Sequence, residues 1–277
     1  MKKYLYIITV FLLAACQGKG YVPAPPELVV EGWIEDGGSP YIYLTTSITP
    51  SPEAQQVSSL QDHVLQTARV TVSDGEQSVV LSGLASKRYF PPYVYTSSHI
   101  TGQAGKTYTL TVEADGYFAT AQATIPPSRQ LDALEVIPFG DDPDQRLLRA
   151  RFRDNPSTRD FYHCFVKIEK TDSTYVPVEL SYIDDSLVEN PVELTIRPGN
   201  SVARSERRQA FRRGERVRVK FRTMQEEMYW VWKFIGEQHA FSTIPFLVPD
   251  SNLPGNVDGA LGYFAGYGCT NYAVDIP

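Results

Sequence analysis

The densest positive charge in the sequence lies between residues 197 and 222, and it is the clearest candidate for a binding surface. This stretch, RPGNSVARSERRQAFRRGERVRVKFR, contains ten lysines or arginines and two glutamates. Basic and apolar residues alternate at its end, so a strand would place on one face Arg216, Arg218, Lys220 and Arg222. That face either guards a solvated sheet edge against pairing with another chain, or it docks onto anionic lipid, lipopolysaccharide or an acidic partner.

The other reactive residue types show no catalytic or metal-binding spacing. The four histidines are His63, His99, His163 and His239, and no two of them are spaced as metal ligands. The sequence has no G-x-S-x-G elbow, no H-E-x-x-H motif and no glycine-rich phosphate loop after a strand pattern. Asp184-Asp185 and residues 141–144 lie in turn-like contexts, and the second is typical of a solvated acidic turn. We therefore expect a protein that is not an enzyme and that has no cofactor and no metal.

The first cysteine, Cys16, is placed for a covalent modification. Lys2 and Lys3 precede a mostly apolar segment of ten residues, YLYIITVFLL, which is the pattern of a secretory signal peptide. The following Leu13-Ala14-Ala15-Cys16 resembles the bacterial lipobox, in which the cysteine thiol receives a diacylglycerol and becomes the mature N-terminus. We therefore predict a signal peptide over residues 1–15, lipidation of Cys16, and attachment to a membrane through the acyl chains. Glycine and proline in residues 16–26 predict a tether.

Two other cysteines, Cys164 and Cys269, remain after lipidation of Cys16. Both lie in strand-like segments, FYHCFVKIE and GYGCTNYAV. In an oxidising compartment they could form a disulfide, provided that their Cα atoms approach within about 7 Å. The alternative is two separate buried thiols that act as small apolar side chains.

The size and charge of the mature chain exclude some classes of partner. Removal of residues 1–15 leaves 262 residues, enough for two domains with separate cores. The signal carries two lysines and no acids, so its removal changes the formal net charge from −6 to −8. An acidic, secreted chain without aromatic residues interleaved in its basic run argues against nucleic acid as a partner. Beyond the signal there is no apolar segment of 18 residues that would predict a membrane-spanning helix.

The first half of the mature chain has the pattern of an antiparallel β-sandwich. Its short segments are rich in Val, Thr and Tyr and are separated by Gly, Asp or Pro. In KTYTLTVEA, Tyr108, Leu110 and Val112 share one face and polar residues the other, which is typical of a half-buried strand. Six or seven such strands predict an immunoglobulin-like sandwich over residues 27–127, with the double proline Pro126-Pro127 as its end.

The second half, residues 128–277, predicts another β-rich, sandwich-like domain with one helix late in the chain. Met224, Met228, Val231 and Ile235 recur at helical spacing, which predicts an amphipathic helix over about residues 224–240. Thr223 and Glu226 fit a capping box at its start. The aromatic residues of this helix, Tyr229, Trp230, Trp232 and Phe234, favour packing against a sheet, and a platform that stacks on sugars is the alternative.

Several motifs in order resemble one bacterial family. A lipobox, ELVVEGWI, GKTYTLTVEADG, a closing IPP, FYHCFVKI and NVDGALGYFAGY are similar to the Bacteroidota lipoproteins known as domain of unknown function 4249. Members of this family look like outer-membrane proteins encoded near TonB-dependent receptors, so the resemblance implies an accessory role in nutrient uptake. It implies no activity for any residue. Gln-Gly-Lys-Gly follows Cys16 in place of the acidic run common in surface-exposed relatives, so the periplasmic side and the cell surface both remain open.

These observations leave two functional hypotheses. The first is an outer-membrane lipoprotein that binds a small molecule of unspecified class or assists a TonB-dependent receptor. The second is a tethered hydrolase of glycans or peptides. A hydrolase would require paired carboxylates or a Ser/His pair in a concave pocket, and we would expect that pocket near residues 245–260. The missing catalytic motifs favour the first hypothesis.

Overall fold

The structure is a computed structural model that describes residues 25–47, 62–199, 208–241 and 254–277. The predicted signal peptide, the lipidation site Cys16 and most of the tether lie outside the described residues. The same holds for most of the segment 245–260, where a hydrolase pocket was expected.

The described residues form eighteen strands, one α-helix and a 3-10 turn at Asp185–Leu187. Numbered along the chain, the strands and the helix are β1 (Leu28–Glu35), β2 (Tyr41–Thr46), β3 (Arg69–Ser73), β4 (Ser78–Val80), β5 (Ser82–Ala85), β6 (Tyr93–Thr96), β7 (Thr107–Ala114), β8 (Tyr117–Thr124), β9 (Ala133–Pro138), β10 (Gln145–Phe152), β11 (Phe161–Ile168), β12 (Val176–Pro177), β13 (Ile183–Asp184), β14 (Val192–Ile196), β15 (Phe211–Arg212), β16 (Arg216–Met224), α1 (Glu226–Phe241), β17 (Val257–Asp258) and β18 (Leu261–Asp275). The mostly β class with one late helix is therefore confirmed.

One large sheet organises the described part of the molecule. Its strand order is β12-β11-β16-β18-β1-β2-β6-β5, with β13 also paired to β11. The pairing of β1 with β18 is parallel, and the other pairings in this sheet are antiparallel. Strands from the first and the second half of the chain therefore lie side by side in a single sheet.

Two smaller sheets cover one face of this large sheet, which we call the inner face. The sheet β17-β8-β7-β3-β4 packs on β1 and β2, and their shared core includes Val30, Ile42 and Val112. The sheet formed by β14, β10, β15 and β9 packs on β11 and β16 around a core that includes Leu148 and Val219. The result is two sandwiches that share one sheet, because alternate residues of each strand are apolar and point into these cores.

The last strand, β18, belongs to both sandwiches. Its residues 261–267 pair with β1, and residues 268–275 pair with β16. Fifteen residues of strand extend for about 50 Å, which is long enough to serve both partners. The sequence-based division assigned residues 128–277 to the second domain, whereas residues 261–267 complete the sheet of the first.

The segment that contains Thr124 and Pro126 crosses over β18 at the point where the pairing partner of β18 changes from β1 to β16. A Cβ atom on Gly266 would lie 2.4 Å from the carbonyl oxygen of Thr124, and one on Gly268 would lie 2.5 Å from that of Pro126. Glycine at these two positions therefore lets the segment with the double proline pass closely over the strand. Ser128 then fixes the crossing, since its hydroxyl accepts a hydrogen bond of 2.9 Å from the Cys269 N–H.

Helix α1 lies on the other face of the large sheet, which we call the outer face. It contributes Met228, Tyr229 and Val231 to a cluster with Tyr263 and Ala265 of β18. The observed helix, Glu226–Phe241, starts two residues later than predicted, because Met224 is the last residue of β16.

The predicted capping box at the start of α1 is wrong. Thr223 is part of β16, and its hydroxyl has no hydrogen-bond partner among the described residues. The carbonyl of Gln225 instead accepts from the Met228 and Tyr229 N–H groups, at 3.1 and 3.2 Å. In the described residues there is no helix with the length and apolar character needed to cross a membrane.

Candidate functional site

The outer face of β1 carries the residues that best define a binding site. Val30 and Ile34 are buried in the inner core, so Val29, Glu31 and Glu35 must point to the opposite side. Across the sheet, Glu31 lies in register with Tyr43 of β2 and with Tyr263 of β18. The alternation of β1 therefore places two carboxylates of one strand on one face, about 13 Å apart along it.

Aromatic rings cover the part of the outer face next to these carboxylates. Trp33 and Tyr41 stack with ring centroids 5.7 Å apart and an interplanar angle of 25°. Tyr89 extends the group, with centroid distances of 5.9 Å to Tyr41 and 6.2 Å to Tyr43. We call Trp33, Tyr41, Tyr43 and Tyr89 the aromatic cluster. Ring pairs of this geometry are a stable surface for a flat apolar or cationic group.

A cavity of about 190 Å³ opens beside the aromatic cluster. Its walls include Val29, Glu31, Tyr43, Thr46, His63 and Phe90. We call it the Glu31 cavity, because Glu31 contributes its one carboxylate among the described residues. Phe90 is 47% exposed at its rim.

Glu31 has no cationic partner among the described residues. The hydroxyl of Tyr263 donates a hydrogen bond of 2.8 Å to Glu31 Oε1. The side chain is exposed to the cavity, yet protein atoms crowd around it, and this desolvation raises the pKa of its carboxyl above the usual 4.5 in spite of the hydrogen bond. The same desolvation, together with the charge of Glu31, raises the pKa of Tyr43.

Glu35 has the opposite environment. Its carboxylate forms ion pairs with Lys220 Nζ, at 2.5 Å, and with Arg222 Nη2. The Arg222 guanidinium lies between the rings of Phe165 and Tyr267, 4.1 and 4.3 Å from their centroids. Burial alone would raise the pKa of Glu35, but Arg222 and Lys220 outweigh it and lower the pKa to about 2. These three charged residues form a compensated, buried cluster under the sheet's outer surface.

His163 packs beside this cluster and stays neutral. Its ring lies 4.4 Å from that of Phe165 and 4.7 Å from that of Trp232, and it is directly opposite Arg222 in the sheet. Burial, reinforced by the charge of Arg222, lowers its pKa to about 3. Its Nδ1 atom has no hydrogen-bond partner in the described part of the chain. His163 is therefore a buried residue of the sheet and not a ligand open to solvent.

The basic strand does present its four basic residues on one face, but only half of that face is open to solvent. The side chains of Arg216 and Arg218 are 50% and 52% exposed, and those of Lys220 and Arg222 only 12% and 8%. Arg218 pairs with Glu169 at 2.6 Å, and Arg216 pairs with Asp275 at 3.1 Å. Lys220 and Arg222 therefore cannot contact an anionic surface, and the prediction is wrong for these two.

The alternative interpretation, a guarded sheet edge, is also wrong for this strand. β16 lies between β11 and β18 in the interior of the large sheet, and both of its edges are paired. Its charges are tolerated in the interior because acidic residues of neighbouring strands and loops lie opposite them.

Of the two alternatives for Cys164 and Cys269, the disulfide does not form, and both thiols are free. β16 separates their strands, which places the two Cα atoms roughly 9.5 Å apart. Cys164 is opposite Phe221 and Cys269 is opposite Arg222, so the two side chains point to opposite faces of the sheet. The alternative of two separate thiols is the observed one, and burial raises the pKa of both.

A second group of acidic residues lies at the edge of the second sandwich. Oxygen atoms of Asp154, Asp160 and Asp185 lie within 4.8 Å of one another. The Tyr162 hydroxyl donates to Asp154, and the Asp160 N–H donates to Asp185 at 2.7 Å. Burial, and then the charges of the other two carboxylates, raise the pKa of Asp185 to about 6. Three such carboxylates could hold a divalent cation, which the sequence analysis did not predict.

The adjacent Asp184 is buried, unlike a residue of a solvated turn. It pairs with Arg159 at 2.6 Å, and its carboxylate also accepts from the Ser186 hydroxyl. Asp184 caps the 3-10 turn at Asp185–Leu187, so the turn-like context is confirmed, but its carboxylate is buried.

A family model described as Domain of unknown function (DUF4249) matches residues 21–272 of this sequence. The chain belongs to this family. The match covers both sandwiches and residues 261–272 of the shared strand β18, so the resemblance to domain of unknown function 4249 is confirmed. No curated protein matches the chain.

The Glu31 cavity was missed in the sequence analysis, although part of its signal was present. In LVVEGWIE the two glutamates interrupt an apolar strand at every fourth position, and YIYL places two tyrosines on one face of the next strand. This pattern indicates a polar and aromatic outer face. Which of the two glutamates receives a counter-ion depends on β16 and β18, more than 180 residues away in the sequence.

Proposed function

We propose that this protein is a lipoprotein anchored to the outer membrane through Cys16. We further propose that it serves TonB-dependent nutrient uptake as a binding or accessory component. The anchor is supported by the lipobox at residues 13–16, and the link to uptake is supported by the family resemblance. The binding role rests on one observation, the Glu31 cavity on the outer face of the large sheet.

The Glu31 cavity supports binding because of its composition. Its described walls combine one carboxylate with aromatic and small polar side chains, which is the usual make-up of a site for a small ligand. The aromatic cluster continues this surface beyond the cavity, so a larger ligand could extend along it.

Mass spectrometry of the protein from its native membrane tests the anchor. We expect a mature form that begins at Cys16 and carries acyl chains. A form that retains residues 1–15, or that begins at Cys16 without acyl groups, would contradict the proposal. The Cys16→Ser variant is the matched control and should leave the membrane fraction.

Affinity purification from detergent-solubilised outer membrane tests the accessory role. We expect a TonB-dependent receptor to co-purify with the native protein, and less of it with the Cys16→Ser variant. Purification without any such receptor would contradict the accessory role and leave the anchor and the cavity to their own tests.

The alternative of a tethered hydrolase is favoured by one specific observation. Thr46 Oγ1 and His63 Nδ1 lie 3.0 Å apart in the wall of the Glu31 cavity, within reach of a proton transfer between a hydroxyl and a base. A cleavage of glycans or peptides that His63→Ala abolishes and Glu113→Gln leaves intact would establish this function. Equal rates for the native protein and His63→Ala would exclude a role for the pair.

A further inference from the structure

The carboxylate of Glu31 lacks the counter-charge that the other carboxylate on the outer face of β1 receives. Glu35 binds both Lys220 and Arg222, whereas among the described residues no basic side chain pairs with Glu31. A carboxylate crowded by protein atoms is stabilised most by a cation at hydrogen-bond distance. A positively charged ligand in the cavity would therefore supply the counter-ion that Glu31 lacks.

The walls of the cavity suit a cation that also carries carbon. Tyr43 and Phe90 line it together with the aliphatic side chain of Val29. Aromatic ring faces attract ammonium groups, and this attraction is greatest where water is excluded. A hydrated metal ion would leave these apolar walls unused, whereas an alkyl chain attached to an ammonium group would cover them.

We propose that the Glu31 cavity binds a small organic ammonium ion, with the charged nitrogen at Glu31 and the alkyl portion against Tyr43 and Phe90. This inference rests on the proposed binding function and specifies the class of its ligand. The volume of about 190 Å³ equals roughly six water volumes, enough for an alkylammonium ion of five or six heavy atoms.

The charged and titratable groups of the cavity determine how the affinity for an ammonium ion should change with pH. The titratable groups around Glu31 are Tyr43 from β2, Tyr263 from β18 and His63, which also lines the cavity. Desolvation raises the pKa of Glu31, so part of the carboxyl population is protonated at mildly acidic pH. Ammonium binding requires the ionised form, and the affinity should therefore rise as the pH rises from 4.5 towards 7.

Ligand-observed NMR titrations on the full-length mature lipoprotein in a non-ionic detergent test this inference. The probes are n-butylammonium, its neutral analogue n-butanol, and glucose, all at constant ionic strength. We expect n-butylammonium to bind with a Kd on the order of 1 mM, which is typical for so few heavy atoms. We expect binding of n-butanol and of glucose to be at least tenfold weaker.

Three variants connect this binding to the cavity. Glu31→Gln should weaken the affinity for n-butylammonium at least tenfold, and Phe90→Ala should weaken it severalfold, since Phe90 lies exposed at the rim. Glu113→Gln is the matched control, because Glu113 is an exposed glutamate on β7 and should bind as the native protein does. Thermal unfolding of each variant verifies that it is folded.

Specific outcomes would overturn the inference. These are equal binding of n-butanol and n-butylammonium by the native protein, an affinity of Glu31→Gln within twofold of native, or glucose binding without ammonium binding. The comparison of the three probes on the native protein tests the inference even if a variant fails to fold. Co-purification of the receptor does not depend on these titrations, so the proposed function and this inference can fail separately.

Discussion

Glu31 and Glu35 lie four residues apart on one face of one strand, and their environments are opposite. Glu35 is compensated by Lys220 and Arg222, which lower its pKa to about 2. Glu31 receives a hydrogen bond from Tyr263 and no counter-ion among the described residues, and its pKa is raised. The neighbouring strand β18 and the next strand β16 therefore determine the environment of each carboxylate. One glutamate stabilises the shared sheet, and the other is left for a ligand.

The largest expected effect on stability comes from removing the charge of Glu35, the glutamate that pairs with Lys220 and Arg222. Glu35→Gln leaves Lys220 and Arg222 mostly buried without their carboxylate, so it should lower the free energy of unfolding by about 3–5 kcal/mol. Urea denaturation measures this loss, with Glu113→Gln as the control for the removal of one charge. A loss below about 1 kcal/mol would mean that water reaches the cluster and compensates the cations.

The stability of the protein at acidic pH also depends on the ion pairs of Glu35. The pKa of Glu35 is lower in the folded protein, about 2, than the usual 4.5, so its ion pairs stabilise the fold at neutral pH. This stabilisation is fully present above pH 4.5 and is lost as the pH falls towards 2. The difference between the two pKa values corresponds to about 3 kcal/mol. Urea denaturation from pH 7 to pH 2.5 should show this loss for the native protein, and the corresponding part should be missing in Glu35→Gln.

A third carboxylate, Asp185, extends the comparison to the second sandwich. Its pKa is raised to about 6, so its stabilising contribution is present below pH 3.8 and is lost as the pH rises through 6. Asp185→Asn should therefore raise the free energy of unfolding at pH 7.5, by about 1 kcal/mol after solvent screening, and have little effect at pH 4. Equal effects at both pH values would contradict this account. Stabilisation of the native protein by millimolar Ca²⁺, absent in the variant, would instead identify a cation site.

The smallest effect on stability is expected for Glu31, the glutamate without a counter-ion among the described residues. Glu31→Gln keeps an oxygen that can accept from Tyr263 and removes a desolvated charge, so the stability at pH 7 should stay within about 1 kcal/mol of native or increase. Thermal unfolding beside Glu35→Gln gives the direct contrast. A loss comparable to that of Glu35→Gln would show that Glu31 has a structural counter-ion.

Alternation of apolar and polar residues was enough to predict the fold class and the faces of individual strands. It correctly separated Val217 and Val219 from the basic residues of β16, and it correctly placed Tyr108, Leu110 and Val112 on the buried face of β7. It could not identify an interior strand, because a strand with one charged face has the same pattern at an edge and in the middle of a sheet. The burial of Lys220 and Arg222 depends on Glu35, which is 185 residues away from Lys220.

The same limit applies to the cysteines and to the end of the chain. Cys164 and Cys269 both lie in strands, but whether they can pair depends on which strand separates them and on the face to which each points. The exchange of partners along β18 depends on Gly266 and Gly268, whose role becomes visible only where Thr124 and Pro126 cross over them. Local sequence therefore predicted the elements, and the long-range pairing determined the site.

The most direct test of the central claim is a titration of the two carboxyl groups themselves. NMR of the mature protein with ¹³C-labelled glutamate side chains, assigned with Glu31→Gln and Glu35→Gln, would report both groups in one sample. We expect Glu35 to titrate near pH 2 and Glu31 to titrate above 4.5, with the Glu31 signal shifting on addition of n-butylammonium. Ordinary pKa values at both positions, or the reverse order, would contradict the account.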